Sequence, residues 1–294
     1  MILSEEAPMP TVTRTAHSFV DAEGVRIHYY AWKAPQPKAV LQLTHGLGDH
    51  ALRYEQVAQD LVAAGYSVYA DDHRGHGATG MEQYGGDATK LGKLGPGGLR
   101  ATIEDVRQFS RIIRAENPGL KLALLGHSWG SLMVQTILNL HADEYDVAVL
   151  TGTAYRTLTD MNGGNLNKQH QHLGTTGNEW LSRDPAVAQA FSDDPLTFYA
   201  AAIQLFGIAD GLRLLGRPSK HIPKDIPLLI MIGSEDTLGG EKSIEKLASA
   251  YVTRSKLSDV KAIVYPGARH EIFNETNRDE VIADLVAWLD AHLT

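Results

Sequence analysis

The chain has 294 residues, no cysteine, 43% hydrophobic and 21% charged residues, and a formal net charge of −8. This is the composition of a globular protein with one sizeable core and room for an inserted subdomain. It excludes disulfides, thiolate chemistry and cysteine–zinc sites, and with no basic stripe it argues against binding to a phosphate backbone.

The N-terminal stretch MILSEEAPMPTVTRT has an acidic pair and no apolar centre, so it is not expected to be a signal peptide, and residues 1–15 read as a loose tail. No run approaches the ~18 apolar residues of a membrane span, and a cytoplasmic protein is the expectation. His17–Val20 and Val25–Trp32 read as strands joined by a hairpin turn at Asp21-Ala22-Glu23-Gly24, where Gly24 can take positive φ. Ala39–Thr44 is a third strand and ends in His45-Gly46-Leu47-Gly48-Asp49-His50. Tyr54, Val57, Ala58, Leu61 and Val62 recur at helical spacing, and Gly65 closes that helix. Tyr66–Ala70 is a strand leading into Asp72-His73-Arg74-Gly75-His76-Gly77. Residues 78–98 are glycine-rich and aperiodic, which predicts a long loop.

Leu99, Ile103, Val106, Phe109 and Ile113 mark a helix stopped by Asn117-Pro118-Gly119. Leu120–Leu125 is a strand-length apolar segment, and Ser131–Leu140 reads as a helix. Tyr145–Leu150 and Ile226–Ile232 are strands, the latter apolar enough to be buried on both faces. Ile244–Val252 is helical, and Val260–Tyr265 is the last strand. Asn277-x-x-Glu280 has the pattern of a capping box before a helix carrying Val281, Leu285, Trp288 and Leu289 on one face. An antiparallel start followed by alternating strands and helices predicts an α/β fold with a mostly parallel sheet covered on both sides. Residues 153–222 break the alternation. They are expected to form a helical cap inserted into a core made of 1–152 and 223–294, with helices around 180–191 and 194–215.

Between the central strand and its helix lies Gly126-His127-Ser128-Trp129-Gly130, a G-x-S-x-G pattern. The bare pattern occurs by chance in roughly one chain in ten of this length, so its strand–turn–helix context carries the weight. That context predicts a nucleophile elbow, with Ser128 strained and exposed and small residues on either side because strand and helix pass close together. A serine hydroxyl needs an adjacent base. The ends of parallel strands converge at one sheet edge. His270, five residues past the last strand, is the candidate base. Asp236, just past Ile226–Ile232, is the candidate orienting acid, and the order Ser, Asp, His is the one expected with such an elbow. The backbone amides of Trp129 and Leu47 are the candidate oxyanion donors.

Several other motifs have structural readings. Asp72, His73, Arg74 and His76 read as a turn near the site, His45 and His127 as loop supports, and His50 as a helix-start residue. Gly75–Gly80 spells G-x-G-x-x-G, yet no helix is expected to open there and no acidic residue ends a following strand, so a dinucleotide site is not expected. His170-x-His172 lies in a loop rich in Gln, Asn and Gly, and is read as exposed loop rather than metal site. The apolar residues Phe198, Ile203, Leu205, Phe206, Ile208, Leu212, Leu214 and Leu215 are expected mainly to pack the cap, with contact to an acyl chain or a membrane surface as the other reading. No cofactor and no metal are required.

HGLGDH, DHRGHG, GHSWG, GSED and GARHEIFNE, in this order, resemble the α/β-hydrolase superfamily, and within it the monoacylglycerol lipase and lysophospholipase group. The resemblance spans roughly residues 17–292. It implies an α/β-hydrolase fold and a serine carboxylic ester hydrolase acting on monoacylglycerol or lysophospholipid-like esters through an acyl-enzyme. Two features depart from that group. Trp129-Gly130-Ser131 stands where it usually has Met-Gly-Gly, and is similar to proline aminopeptidases of the same superfamily. Those, however, carry a Gly-Gly-Pro-Gly type oxyanion loop, unlike Gly46-Leu47-Gly48-Asp49. An aminopeptidase, using Glu179 or Asp184 to hold a free amino terminus, and a non-catalytic binding homologue remain as alternatives.

Overall fold

The computed structural model describes residues 12–294, so residues 1–11 of the expected tail lie outside the described part. Among the described residues eight strands form one sheet: β1 (Thr15–Val20), β2 (Arg26–Trp32), β3 (Ala39–Thr44), β4 (Tyr66–Asp71), β5 (Leu122–His127), β6 (Val147–Thr151), β7 (Leu228–Gly233) and β8 (Val260–Tyr265). Their spatial order is β1-β2-β4-β3-β5-β6-β7-β8. β2 pairs antiparallel with both β1 and β4, and every later pair is parallel. The β1–β2 turn forms as expected: Gly24 takes φ +81°, while Asp21 Oδ1 accepts the amides of Glu23 and Val25 at 2.8 Å.

Among the described residues the α-helices that accompany the sheet are α1 (Glu55–Ala63), α2 (Gly77–Gln83), α3 (Gly98–Glu116), α4 (Trp129–His141), α5 (Pro185–Asp193), α6 (Ala202–Arg213), α7 (Gly240–Thr253) and α8 (Arg278–Leu293). The period-2 alternation of the strands splits the core in two. Leu122 and Leu124 of β5, with Leu228, Ile230 and Ile232 of β7, pack among side chains of α3, α4 and α7. Ala123, Leu125, Leu229 and Met231 face the opposite way, onto α1 and α8. Both faces of the sheet are therefore covered, and its buried strands can be apolar throughout.

The structure corrects three expectations. Residues 78–98 are not all loop, because α2 opens at Gly77. Its start is paired internally: Asp72 Oδ2 accepts the amide of Ala78 and Oδ1 that of Ala51, each at 2.8 Å. A carboxylate of the protein thus takes the place a phosphate would need, and the glycines serve close packing. A Cβ on Gly80 would lie 2.5 Å from the carbonyl carbon of Gly75. Second, Asn277 does not close a capping box. Its Oδ1 accepts from Arg183 at 2.7 Å and its Nδ2 donates to Glu280 at 2.9 Å, and its side chain accepts no helix amide. Third, His170 is buried, with Nε2 3.3 Å from the carbonyl of Glu235, whereas His172 is exposed.

The connection between β6 and β7 contains α5, α6 and no strand. α6 is interrupted at Gly207, which takes φ 80° and ψ 170°, and none of its residues is buried. Ile203, Ile208 and Leu212 stand exposed instead of packing helix on helix. No helix among the described residues is long and apolar enough to cross a membrane.

Candidate active site

β5 stops at His127, and α4 begins at Trp129 without a linker. Ser128, between them, has φ 53° and ψ −124°. This is a conformation that a residue with a side chain takes only when its surroundings enforce it. The Ser128 amide donates to Thr151 O of the neighbouring strand at 2.9 Å, and the Leu132 amide donates to Ser128 O at 3.1 Å. The flanking glycines are sterically required. A Cβ on Gly126 would sit 2.7 Å from the carbonyl oxygen of Gly130, and one on Gly130 would run into the carbonyls of Thr44 and His45. The two glycines thus let α4 lie against β5 and β3, with Ser128 at the turn between strand and helix.

The other candidates arrive at the same edge. Register pairs Thr44 with Gly126, His127 with Thr151, Thr151 with Met231 and Gly233 with Tyr265, so β3, β5, β6, β7 and β8 end side by side. Asp236 follows β7 and His270 follows β8. Both Asp236 carboxylate oxygens lie 3.0 Å from His270 Nδ1. The carboxylate makes Nδ1 the protonated nitrogen and leaves the Nε2 lone pair available. Among the described residues Nε2 has no hydrogen-bond partner, the Ser128 hydroxyl included. Catalytic hydrogen bonds commonly tighten only with substrate bound. Ser128 and His270 line one cavity together with Gly46, Leu47, His127 and Trp129.

Trp129 is the first residue of α4, and a first-turn amide has no acceptor within its own helix. Leu47 lies between Gly46 and Gly48 in the turn after β3. Gly48 takes φ +77°, and a Cβ there would strike the carbonyl of Phe198, whose amide donates back to Gly48 O at 3.2 Å. Both candidate oxyanion donors therefore border the cavity beside Ser128.

Sequence reasoning missed a buried ionic cluster behind the histidine. Arg53 donates from both guanidinium nitrogens to Glu271, each at 2.8 Å, and to Asp49 Oδ1 at 3.0 Å. The Tyr54 hydroxyl donates to Asp49 Oδ2 at 2.8 Å. Burial alone would raise both carboxyls, but the Arg53 guanidinium outweighs it and holds Asp49 and Glu271 below the usual carboxylate range. The i, i+4 spacing of Asp49 and Arg53 was a visible signal, whereas nothing in the sequence points from Arg53 to Glu271. Also missed were Trp180, whose ring centroid lies 4.5 Å from that of His270, and Gly152, where a Cβ would sit 3.0 Å from His270 Cε1.

The other histidines do serve as supports. His45 Nδ1 donates to Gly46 O at 2.7 Å while its Nε2 accepts the amide of His73 at 3.1 Å, which fixes a neutral tautomer. Burial and then the neighbouring His270 push His127 down to about 4. Burial pushes His76 down to about 3. His50 precedes the short 3-10 turn Ala51–Tyr54, and its ring reaches Asp194 at 2.8 Å. Arg74 is fully buried between Asp21, Asp105 and the carbonyl of Pro96, a structural anchor away from the cavity.

Beyond the reacting groups, the cavity wall is apolar on one side, with Leu132, Met161, Ala202, Leu214 and Leu238. Among the described residues, the carboxylates that line it are Asp49 and Glu271, both already paired with Arg53. Neither carboxylate expected for an amino terminus is available. Glu179 accepts from the amide and hydroxyl of Thr176 and from Asn167, and Asp184 caps α5 through the amide of Ala186. Among the described residues no cluster of three or more His, Asp or Glu could hold a metal ion.

Comparison with known proteins agrees with this architecture. The family described as "Serine aminopeptidase, S33" matches residues 35–277. The monoacylglycerol lipase of Mycolicibacterium smegmatis is 34% identical over 301 residues, covering 97% of this chain and 100% of the relative. The human monoglyceride lipase is 28% identical over 268 residues, covering 87% of this chain and 83% of the relative. A thermostable carboxyl esterase from Bacillus coagulans, solved in complex with glycerol, superposes with a TM-score of 0.83 at 24% identity, covering 97% of this chain and 100% of that one, and so shares the fold. Family membership follows from the first two matches: this chain belongs to the serine aminopeptidase S33 family of α/β-hydrolases and is a monoacylglycerol lipase-like serine hydrolase.

Proposed function

We propose that the chain hydrolyses carboxylic esters that carry one acyl chain on a small alcohol, of the monoacylglycerol or lysophospholipid kind, and that residues 153–222 act as a cap over the site. Ser128 attacks the ester carbonyl while Nε2 of His270 takes its proton, with Asp236 holding the ring in the required tautomer. The amides of Leu47 and Trp129 receive the negative charge that develops on the carbonyl oxygen. His270 returns the proton to the leaving alcohol, and water then releases the acid by the same route.

The observation that carries this reading is that the positive-φ serine lines the same cavity as a histidine bonded to both oxygens of one carboxylate. The names of the relatives support ester substrates. The family description keeps an aminopeptidase in view, but the cavity offers no unpaired carboxylate for a free amino terminus.

A fluorophosphonate probe should label the protein, and Ser128→Ala should abolish labelling and lower turnover by several orders of magnitude without unfolding the chain. A Ser128→Ala protein with full activity overturns the mechanism. A wild-type protein that is never labelled points instead to a non-catalytic binder. A chain-length series of p-nitrophenyl esters and monoacylglycerols, set against prolyl anilides, separates esterase from aminopeptidase.

A further inference from the structure

A second groove opens beside the reaction cavity and belongs to no step above. The two share wall residues, Asn165, Asn178, Phe198 and Tyr199 among them, so the groove adjoins the cavity. The groove is broad, about 1260 Å³ counting its open side, more than a three-carbon alcohol needs. Its lining is chemically distinctive. Beyond the shared residues it is lined by Gln171, Thr175, Thr176 and Thr197, which carry an amide and hydroxyls, and it shares the aromatic side chains of Phe191 and Phe198 with the cavity.

Among the described residues, neither lysine nor arginine lines the groove or the cavity. The groove's one carboxylate, Glu179, is spent internally on Thr176 and Asn167. Several polar atoms remain unspent. Asn178 uses its Nδ2 on Ser192 at 3.0 Å, which leaves Oδ1. Asn165 uses its Oδ1 on the amide of Asn167 at 2.9 Å, which leaves Nδ2. Gln171 and Thr175 are exposed, and Tyr199 is 71% exposed at the boundary between the two spaces.

A phosphate-bearing headgroup would call for arginine, lysine or an open helix N-terminus. A neutral polyhydroxylated ring calls for what is present: uncharged donors and acceptors for its hydroxyls, and an amphipathic aromatic face for its C–H surface. We propose that the groove receives the alcohol part of the substrate and fits a neutral polyol larger than glycerol, so that the enzyme cleaves sugar monoesters. This rests on the ester-hydrolase reading above. The reaction is hydrolysis: the acyl C–O bond breaks, the sugar oxygen takes the proton held by His270, and the oxygen of water joins the acyl carbon.

The test uses four dodecanoyl esters below their critical micelle concentrations: p-nitrophenyl, glyceryl, 6-O-glucosyl, and lysophosphatidylglycerol, which sets a polyol behind a phosphate. The glucosyl ester should be turned over with kcat/KM within tenfold of the glyceryl ester and at least tenfold above lysophosphatidylglycerol. The Gln171→Ala, Thr175→Val double variant should lower kcat/KM for the glucosyl ester at least fivefold more than for the p-nitrophenyl ester. A glucosyl ester more than tenfold worse than the glyceryl ester, lysophosphatidylglycerol as good as the glucosyl ester, or a double variant that affects both esters alike overturns the inference and leaves the ester reading standing. Failure to cleave the p-nitrophenyl and glyceryl esters removes the ester reading and this inference with it.

Discussion

His270 Nδ1 is shared between both carboxylate oxygens of Asp236 at 3.0 Å, and the acid is itself held by the Leu238 amide, which donates to Oδ1 at 2.8 Å. An acceptor on both sides of the contact admits only one imidazole tautomer, the one with its lone pair on Nε2. Asp236→Asn presents an amide donor in the same space and favours the opposite tautomer. Ester turnover should fall by about 10³–10⁴-fold with little change in thermal stability. Steady-state kinetics on a p-nitrophenyl ester and a melting curve check both parts. A loss under tenfold would mean that Asp236 does not set the ring.

The elbow makes a steric prediction that needs no chemistry. A Cβ on Gly130 would collide with the carbonyls of Thr44 and His45, while one on Gly163 meets nothing within 4 Å. Gly130→Ala should cost about 3 kcal/mol or more, since neither backbone carbonyl can move without shifting β3. Gly163→Ala should be near neutral. Urea denaturation of the two variants decides the matter, and comparable midpoints would show that the close approach of α4 is not a constraint.

Legibility of the chain tracked how local the determining interaction is. β3 and β8 have their predicted limits, because each is a short apolar run whose ends are marked within the local sequence. Ser128, His270 and Asp236 were nominated from strand ends and chain order, and the parallel topology brings all three to one sheet edge. What escaped is long-range or competitive. Gly77 starts a helix because Asp72 supplies a carboxylate to its amides. Asn277 accepts no helix amide, and its oxygen accepts instead from Arg183, far away in sequence. Arg53 finds Glu271 across 218 positions, and no periodicity encodes that. The exposed Ile203, Ile208 and Leu212 read as packing residues because composition does not say which side of α6 has a neighbour.

Buried neutral histidines give the site a pH dependence of stability. His76 is fully buried, stacks on Trp129 with ring centroids 5.2 Å apart, and is pushed down to about 3. In the unfolded chain it titrates near 6.5. Between these values the unfolded state binds a proton that the folded state refuses, so this group favours unfolding increasingly as pH falls below 6.5. The slope is about 1.4 kcal/mol per pH unit. In His76→Gln that contribution is absent. The stability of wild type relative to His76→Gln, measured by urea denaturation at pH 7.5, 6.0 and 5.0, should therefore decline toward the acid end. A difference independent of pH would show that His76 titrates alike in both states.

Arg53 joins three parts of the site with one guanidinium. It is forked onto Glu271, which directly follows His270. It reaches Asp49 in the turn that carries Leu47, and it lies 4.7 Å from the ring centroid of Phe191 in the β6–β7 connection. Removing a buried cation leaves two buried carboxylates unanswered, a loss of about 3–5 kcal/mol. Arg53→Met should therefore lower the melting temperature by roughly 6–20 °C at neutral pH. Arg53→Lys keeps the charge but not the fork, and should lose less stability while still reducing turnover, since a point charge does not fix the Glu271 plane beside His270. Adding Glu271→Gln to Arg53→Met removes one unpaired charge and should recover part of the lost stability, a coupling of at least about 1 kcal/mol in a double-mutant cycle. Strictly additive losses would show that the pair does not act as a unit, and that the position of His270 is set by Asp236 and the β8 turn alone.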